Sequence, residues 1–219
     1  MRLRAALVTL LASGACFAGL GLDDEYALDQ VDRSVPDAGL GCDELERTLV
    51  THPGTQFQYR PVARVHPAFR ERLVRFEEVV TTLSNETYGR PPRRIRNGTF
   101  RCRPMKRNAG RVSEHALGNA IDVVAIEFGP LPRDEPTTLP AKLRRAFTVR
   151  VDRHWAAEGD GEIHSCFLQT LSARLLQRRD VFRGLIGPGD PDHRDHLHFD
   201  TGPWRFERLG LTERTERTP

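Results

Sequence analysis

At 219 residues and 38% hydrophobic side chains, the chain can build one core with appendages. Its formal net charge is +3, and Arg2 and Arg4 account for two of those charges, so 3 − 2 leaves +1 for the rest. A near-neutral body excludes nucleic-acid binding driven by net charge.

The chain opens "MRLRAALVTLLASGACFAGLGLDDEY": two arginines, an uncharged run from Ala5 to Leu22, then acids. This is the layout of a secretory signal over residues 1–22, and it predicts export to the periplasm or cell envelope. The leader is cleaved, or carries lipid at Cys16, or stays as a membrane anchor. Residues 23–41, acidic and polar with Pro and Gly near the end, read as a linker. One domain is expected over residues 42–206 and a frayed tail over 207–219. Cys42, Cys102 and Cys166 permit one disulfide in an exported protein and leave one thiol over.

Within the domain, "HPAFRERLVRFEEVVTTLS" predicts a helix with Pro67 in its first turn. Phe69, Leu73, Phe76, Val80 and Leu83 step by four and three into one buried stripe. Turn residues at Pro91–Pro92 and Asn97–Gly98 lead to a short strand around Phe100. "AIDVVAIEF" predicts a buried strand, and the alternating Phe147, Val149 and Val151 predict another. "EIHSCFLQTLSARLLQRRD" is helical, "FRGLIGPGD" is a strand ending in a turn, and "DHLHFDTG" is the last strand. Strands and helices mix without regular βαβ alternation, so the class is α+β.

The segment "DHRDHLHFD" holds three of the eight histidines. On a strand His196, His198 and Asp200 share one face, roughly 6.6 Å apart in steps of two, while Leu197 and Phe199 share the other. A polar edge strand would explain this segment alone. The second segment, "SEHALGNAID", sets His115 and Asp122 seven apart around Gly118. A carboxylate opening an apolar strand is costly to bury unless it is paired or metal-bound. With the pair His196 and His198 elsewhere in the chain, two nitrogens and one oxygen become available: three zinc ligands and an open position for water. His193 reads as a loop group or one that orients a ligand. Asp200 could hold a ligand histidine through its other nitrogen. Asp195 is expected to face away from His196. His52, His66, His154 and His164 read as surface or cap residues, and Trp155 and Trp204 as packed.

"SEHALGNAID" with "GPGDPDHRDHLHFD", preceded by "FRCR" and "GLIGPG", resembles the extensin-like C-terminal domain family over about Thr99 to Asp200. That family looks like a branch of the zinc peptidases grouped with lysostaphin, D-alanyl-D-alanine peptidases and the hedgehog fold. The resemblance implies a small antiparallel sheet flanked by helices and a zinc ion on His115, Asp122 and His198. It makes His196 the catalytic partner and Arg103 a cation facing the substrate. It also matches Cys102 to the family's "CR" cysteine. The activity implied is a peptidase or amidase acting on peptidoglycan peptides.

Other readings compete. "HLHFD" also begins a metallo-β-lactamase motif, but Thr201 stands where histidine is required. An iron oxygenase would place its first histidine and carboxylate two apart on one strand, and here six residues intervene. A non-catalytic zinc-containing wall-binding module is the main alternative, although such a module has no use for His196. Arg90 to Arg111 carries nine basic residues and no acid. It is either a solvated face or a flank of the cleft that pairs with peptide carboxylates.

Overall fold

The computed structural model describes residues 31–134 and 136–211. The expected leader lies outside them, as do residues 23–30 of the linker and 212–219 of the tail. Among the described residues no helix is long and apolar enough to cross a membrane.

A short helix α1 (Cys42–Arg47) precedes strands β1 (Val50–His52), β2 (Gln58–Arg60) and β3 (Ala63–Val65). The long helix α2 spans Pro67–Tyr88. His66 caps it by accepting from the Ala68 N–H, Pro67 needs no partner in the first turn, and Gly89 ends it at φ 66°. The predicted stripe Phe69, Leu73, Phe76, Val80 and Leu83 is buried throughout. Each such side chain contributes roughly 1.5–3 kcal/mol of burial.

Strands β4 (Arg94–Gly98), β5 (Pro104–Met105), β6 (Asn108–Val112) and β7 (Ala120–Phe128) follow. Next come α3 (Ala141–Arg144), β8 (Phe147–Arg150), α4 (Val151–His154), α5 (Glu162–Gln177), β9 (Gly184–Ile186), β10 (Leu197–Asp200) and β11 (Phe206–Arg208). The principal sheet runs β11-β9-β10-β7-β4-β2, with β8 also paired to β7. β10 takes the first half of one β7 edge and β8 the second, while β4 covers the other edge. β2 pairs with β4, and β11 with β9, in parallel.

The α+β class holds, but the sheet is larger and more mixed than the small antiparallel one expected. The strand expected around Phe100 lies earlier, over Arg94–Gly98. The alternation Phe147, Val149, Val151 overran its strand, because Val151 is buried as the first residue of a helical turn. Two expected loose segments are seated. Arg33, in the linker, is buried and paired with Glu114 at 2.5 Å, and the Val35 N–H donates to the Gly110 carbonyl at 3.0 Å. In the tail, β11 pairs with β9 and Leu209 is fully buried.

The core lies on one face of the sheet. Phe182 stacks on Phe199 with centroids 5.1 Å apart, and both rings meet Phe76 of α2. Leu197 and Phe199 therefore face α2, and strand alternation sends His198 and Asp200 to the opposite side. Cys42 and Cys102 form the disulfide, and Cys166 remains an exposed thiol.

Candidate metal centre

His198 of β10 lies directly across from Asp122 of β7 in the antiparallel register. His115 reaches them from the loop before β7. That loop turns at Gly118, whose φ is 66° and whose carbonyl accepts from the His66 N–H at 2.8 Å. A Cβ there would run into the Leu49 side chain and lie 2.7 Å from the His66 nitrogen, so only glycine fits. Asn119 ties the loop to the end of β10: its amide donates to Glu114 at 2.6 Å and accepts from the Thr201 hydroxyl.

Three atoms meet at the centre. His115 Nε2 is 3.1 Å from Asp122 Oδ1 and 3.1 Å from His198 Nδ1, and His198 Nδ1 is 3.0 Å from Asp122 Oδ1. All three residues are buried. A tetrahedral ion with bonds of 2.0–2.1 Å has ligand–ligand edges of about 3.3 Å, close to this triangle.

Proton positions sharpen the fit. His115 Nδ1 is 2.6 Å from the Thr99 carbonyl, which can only accept, so Nδ1 carries the hydrogen and Nε2 a lone pair. His198 Nε2 is 3.0 Å from Asp200 Oδ2, and the same logic leaves a lone pair on Nδ1 of the neutral ring. Two nitrogen lone pairs then converge on a carboxylate oxygen, an arrangement that a cation resolves. Without one, His198 must take the extra proton. Burial alone would lower its pKa, but the contacts to Asp122 and Asp200 outweigh burial and push it up to about 9. Burial would raise Asp122, yet its close contacts with His115 and His198 hold it far below the usual carboxylate range. His115 and His198 each have an oxygen acceptor on the far nitrogen, the usual device for fixing metal-ligating imidazoles.

His196 lies beside this group and outside it, with Nε2 3.5 Å from Asp122 Oδ1. Its Nδ1 is 2.7 Å from Asp195 Oδ1, contrary to the expectation that Asp195 faces away. The strand begins only at Leu197, so strict alternation does not govern residues 195 and 196. His193 sits in the 3-10 turn Pro191–His193, its ring 4.9 Å from that of His196. Asp200 holds His198 as described and also accepts from the Gly202 N–H at 2.8 Å.

Arg103 is half-buried, and one of its guanidinium nitrogens donates to the Pro104 carbonyl at 3.2 Å. Arg101 and Asp122 approach Gly98 from two sides. A Cβ on Gly98 would lie 3.5 Å from Asp122 Oδ2 and 3.7 Å from Arg101 Nη2. A groove of about 390 Å³, lined by Arg64, Asn97, Gly98, Thr99, Phe100 and Arg101, opens there. A cavity of about 420 Å³ between Leu176, Phe182, Leu185 and Phe206 contains none of the centre's residues.

Much of the basic stretch is committed within the fold. Arg90 donates to the Leu143 carbonyl at 2.5 Å, Arg94 and Arg96 pair with Glu127, and Arg111 lies over the Trp204 ring. Trp204 is exposed, whereas Trp155 is packed. His66 is the cap expected of it, but His52 and His164 are buried, against Glu77 at 2.6 Å and Tyr88 at 2.9 Å.

Fold and site together define an α+β domain with a buried His–Asp–His group able to hold a metal ion. Residues 15–131 match the family described as extensin-like protein C-terminus, and the chain belongs to that family. The match takes in His115 and Asp122 and much of the N-terminal part, and ends before His196 and strand β10. The likeness expected over Thr99 to Asp200 therefore overlaps it only up to residue 131. No protein of curated function and no solved structure matches the chain.

Proposed function

We propose that this chain is an exported zinc-dependent peptidase or amidase acting on peptidoglycan peptides, akin to the lysostaphin and D-alanyl-D-alanine peptidase group. The observation that carries this reading is the triangle of His115, Asp122 and His198, with a third imidazole, that of His196, oriented beside it and left out of it. Structural zinc sites close with four protein ligands, whereas catalytic ones use three and keep a position open. The ion would supply Lewis acidity at the scissile carbonyl and lower the pKa of water to about 7.

The chain's own residues do the rest. Asp195 accepts from His196 Nδ1, which leaves Nε2 as the base. His196 Nε2 takes the proton of the attacking water and returns it to the departing amine nitrogen. A guanidinium in the groove pairs with a free carboxylate of the wall peptide. The resemblance assigns that role to Arg103, whereas Arg101 is the one of the two that lines the groove. Zinc is favoured over harder ions because two of the three donors are imidazoles. Export rests on the leader sequence, and the Cys42–Cys102 disulfide suits an oxidising compartment. Attachment to the membrane through the N-terminus belongs to the same proposal.

The test is digestion of purified peptidoglycan with mass spectrometry of the released fragments. Soluble products from the wild type and none from His196→Ala are expected. A zinc-loaded protein that releases nothing but binds the wall would instead be a non-catalytic wall-binding module.

A further inference from the structure

Asp190 is buried to 2% exposure yet collects donors from three parts of the chain. Arg107, between strands β5 and β6, grips it with two nitrogens at 3.0 and 3.1 Å, and also reaches Asp192 at 2.9 Å. Arg208 of β11 donates at 2.8 Å, and the Asp192 N–H at 2.9 Å. The remaining contact is His193 Nδ1, 3.0 Å from Asp190 Oδ1.

The hairpin β5–β6 therefore spans the two histidine segments. Its base pairs Pro104 with Val112, and the chain continues through Ser113 and Glu114 to His115. Its tip, at Arg107, is tied to the turn that carries His193. A continuous path follows: Arg107 to Asp190, Asp190 to His193, the His193 ring 4.9 Å from His196, and His196 3.5 Å from Asp122. A surface ion pair needs no buried carboxylate and no bidentate fork, and both are present here.

We propose that Asp190, clamped by Arg107, is a positioning residue that fixes His193 as a second imidazole facing the substrate. Because the carboxylate accepts from Nδ1–H, the His193 Nε2 presents a lone pair. Its side chain is 21% exposed, and among the described residues no hydrogen bond is made by Nε2. A lone pair there suits a peptide N–H, so the ligand class is a peptide that donates from its backbone beside the scissile bond. This deepens the peptidase reading and rests on it for the substrate.

Two measurements on zinc-loaded protein test it. The first is side-chain nitrogen NMR of the histidines, which reports which ring nitrogen carries hydrogen. Wild-type His193 should be hydrogenated at Nδ1, and Asp190→Ala should shift it towards the Nε2–H form. An unchanged tautomer in Asp190→Ala overturns the proposal. The second is a double-mutant cycle on peptidoglycan turnover. Arg107→Ala leaves Asp190 still paired with Arg208, so it should keep zinc content and a folded state while kcat/KM falls about tenfold, in line with the sensitivity of catalysis to small misplacements. In a His193→Ala background the same change should alter kcat/KM less than about twofold. Equal losses in both backgrounds would mean the latch acts on the fold alone and would also overturn the proposal. If the wild type cleaves no wall peptide, the proposed activity fails, and the tautomer measurement still decides the role of Asp190.

Discussion

Zinc and a proton should compete for His198 Nδ1. In the metal-free protein this ring has its pKa pushed up to about 9, because the contacts to Asp122 and Asp200 outweigh burial. At pH 7 it lies two units below that value, so displacing the proton costs about 2.7 kcal/mol, or on the order of 10²-fold in zinc affinity. At pH 8 the penalty is about tenfold. Because zinc needs the lone pair, affinity climbs with pH through 7 and 8 and levels off above about 9. Competition with a chromophoric chelator from pH 6.5 to 9.5, corrected for the chelator's own protonation, measures the curve. Asp200→Asn removes one of the two carboxylates facing His198 and should move the plateau to lower pH. It should also weaken binding about 10–100-fold at high pH, since the ligand ring loses its charged acceptor. An affinity that stays flat between pH 7 and 9 would refute the proton arrangement deduced for His198.

The division of labour between the paired histidines is tested by metal content: His198→Ala should lose zinc, whereas His196→Ala should keep it and lose turnover. Loss of zinc from both would make His196 a ligand. Arg101→Ala should lower kcat/KM for a wall peptide by one to two orders of magnitude, as expected when a charge-assisted contact of roughly 1.5–3 kcal/mol is broken. Arg103→Ala should do less; the reverse order would return the substrate contact to Arg103. Gly118→Ala should lower thermal stability by more than about 1–2 kcal/mol, because the left-handed backbone penalty adds to the clash with Leu49 and His66. A melt indistinguishable from wild type would show that the loop tolerates a side chain.

What the sequence reveals here follows its periodicities. The α2 stripe and the sharing of one face by His198 and Asp200 come from local spacing that helix and strand geometry enforce. His115 and Asp122 were legible because the carboxylate interrupts an apolar strand. Alternation misleads where an element starts or stops. Val151 keeps the rhythm of β8 while opening a helical turn, and Asp195 meets His196 instead of facing away because the two precede the strand. Long-range partners carry no local mark. Nothing near Glu77 announces His52, nothing near Asp190 announces Arg107, and Arg33 gave no sign that it would pair with Glu114. Arg101 is hidden among other basic residues and is set apart only by its place on the groove beside Gly98.

Elemental analysis of the purified, folded protein decides whether His115, Asp122 and His198 hold an ion. About one zinc per chain is expected, removable by a chelator and restored by added zinc, and absent from His115→Ala, Asp122→Ala and His198→Ala. A folded wild-type protein that carries no metal and takes up none when zinc is added would contradict the account.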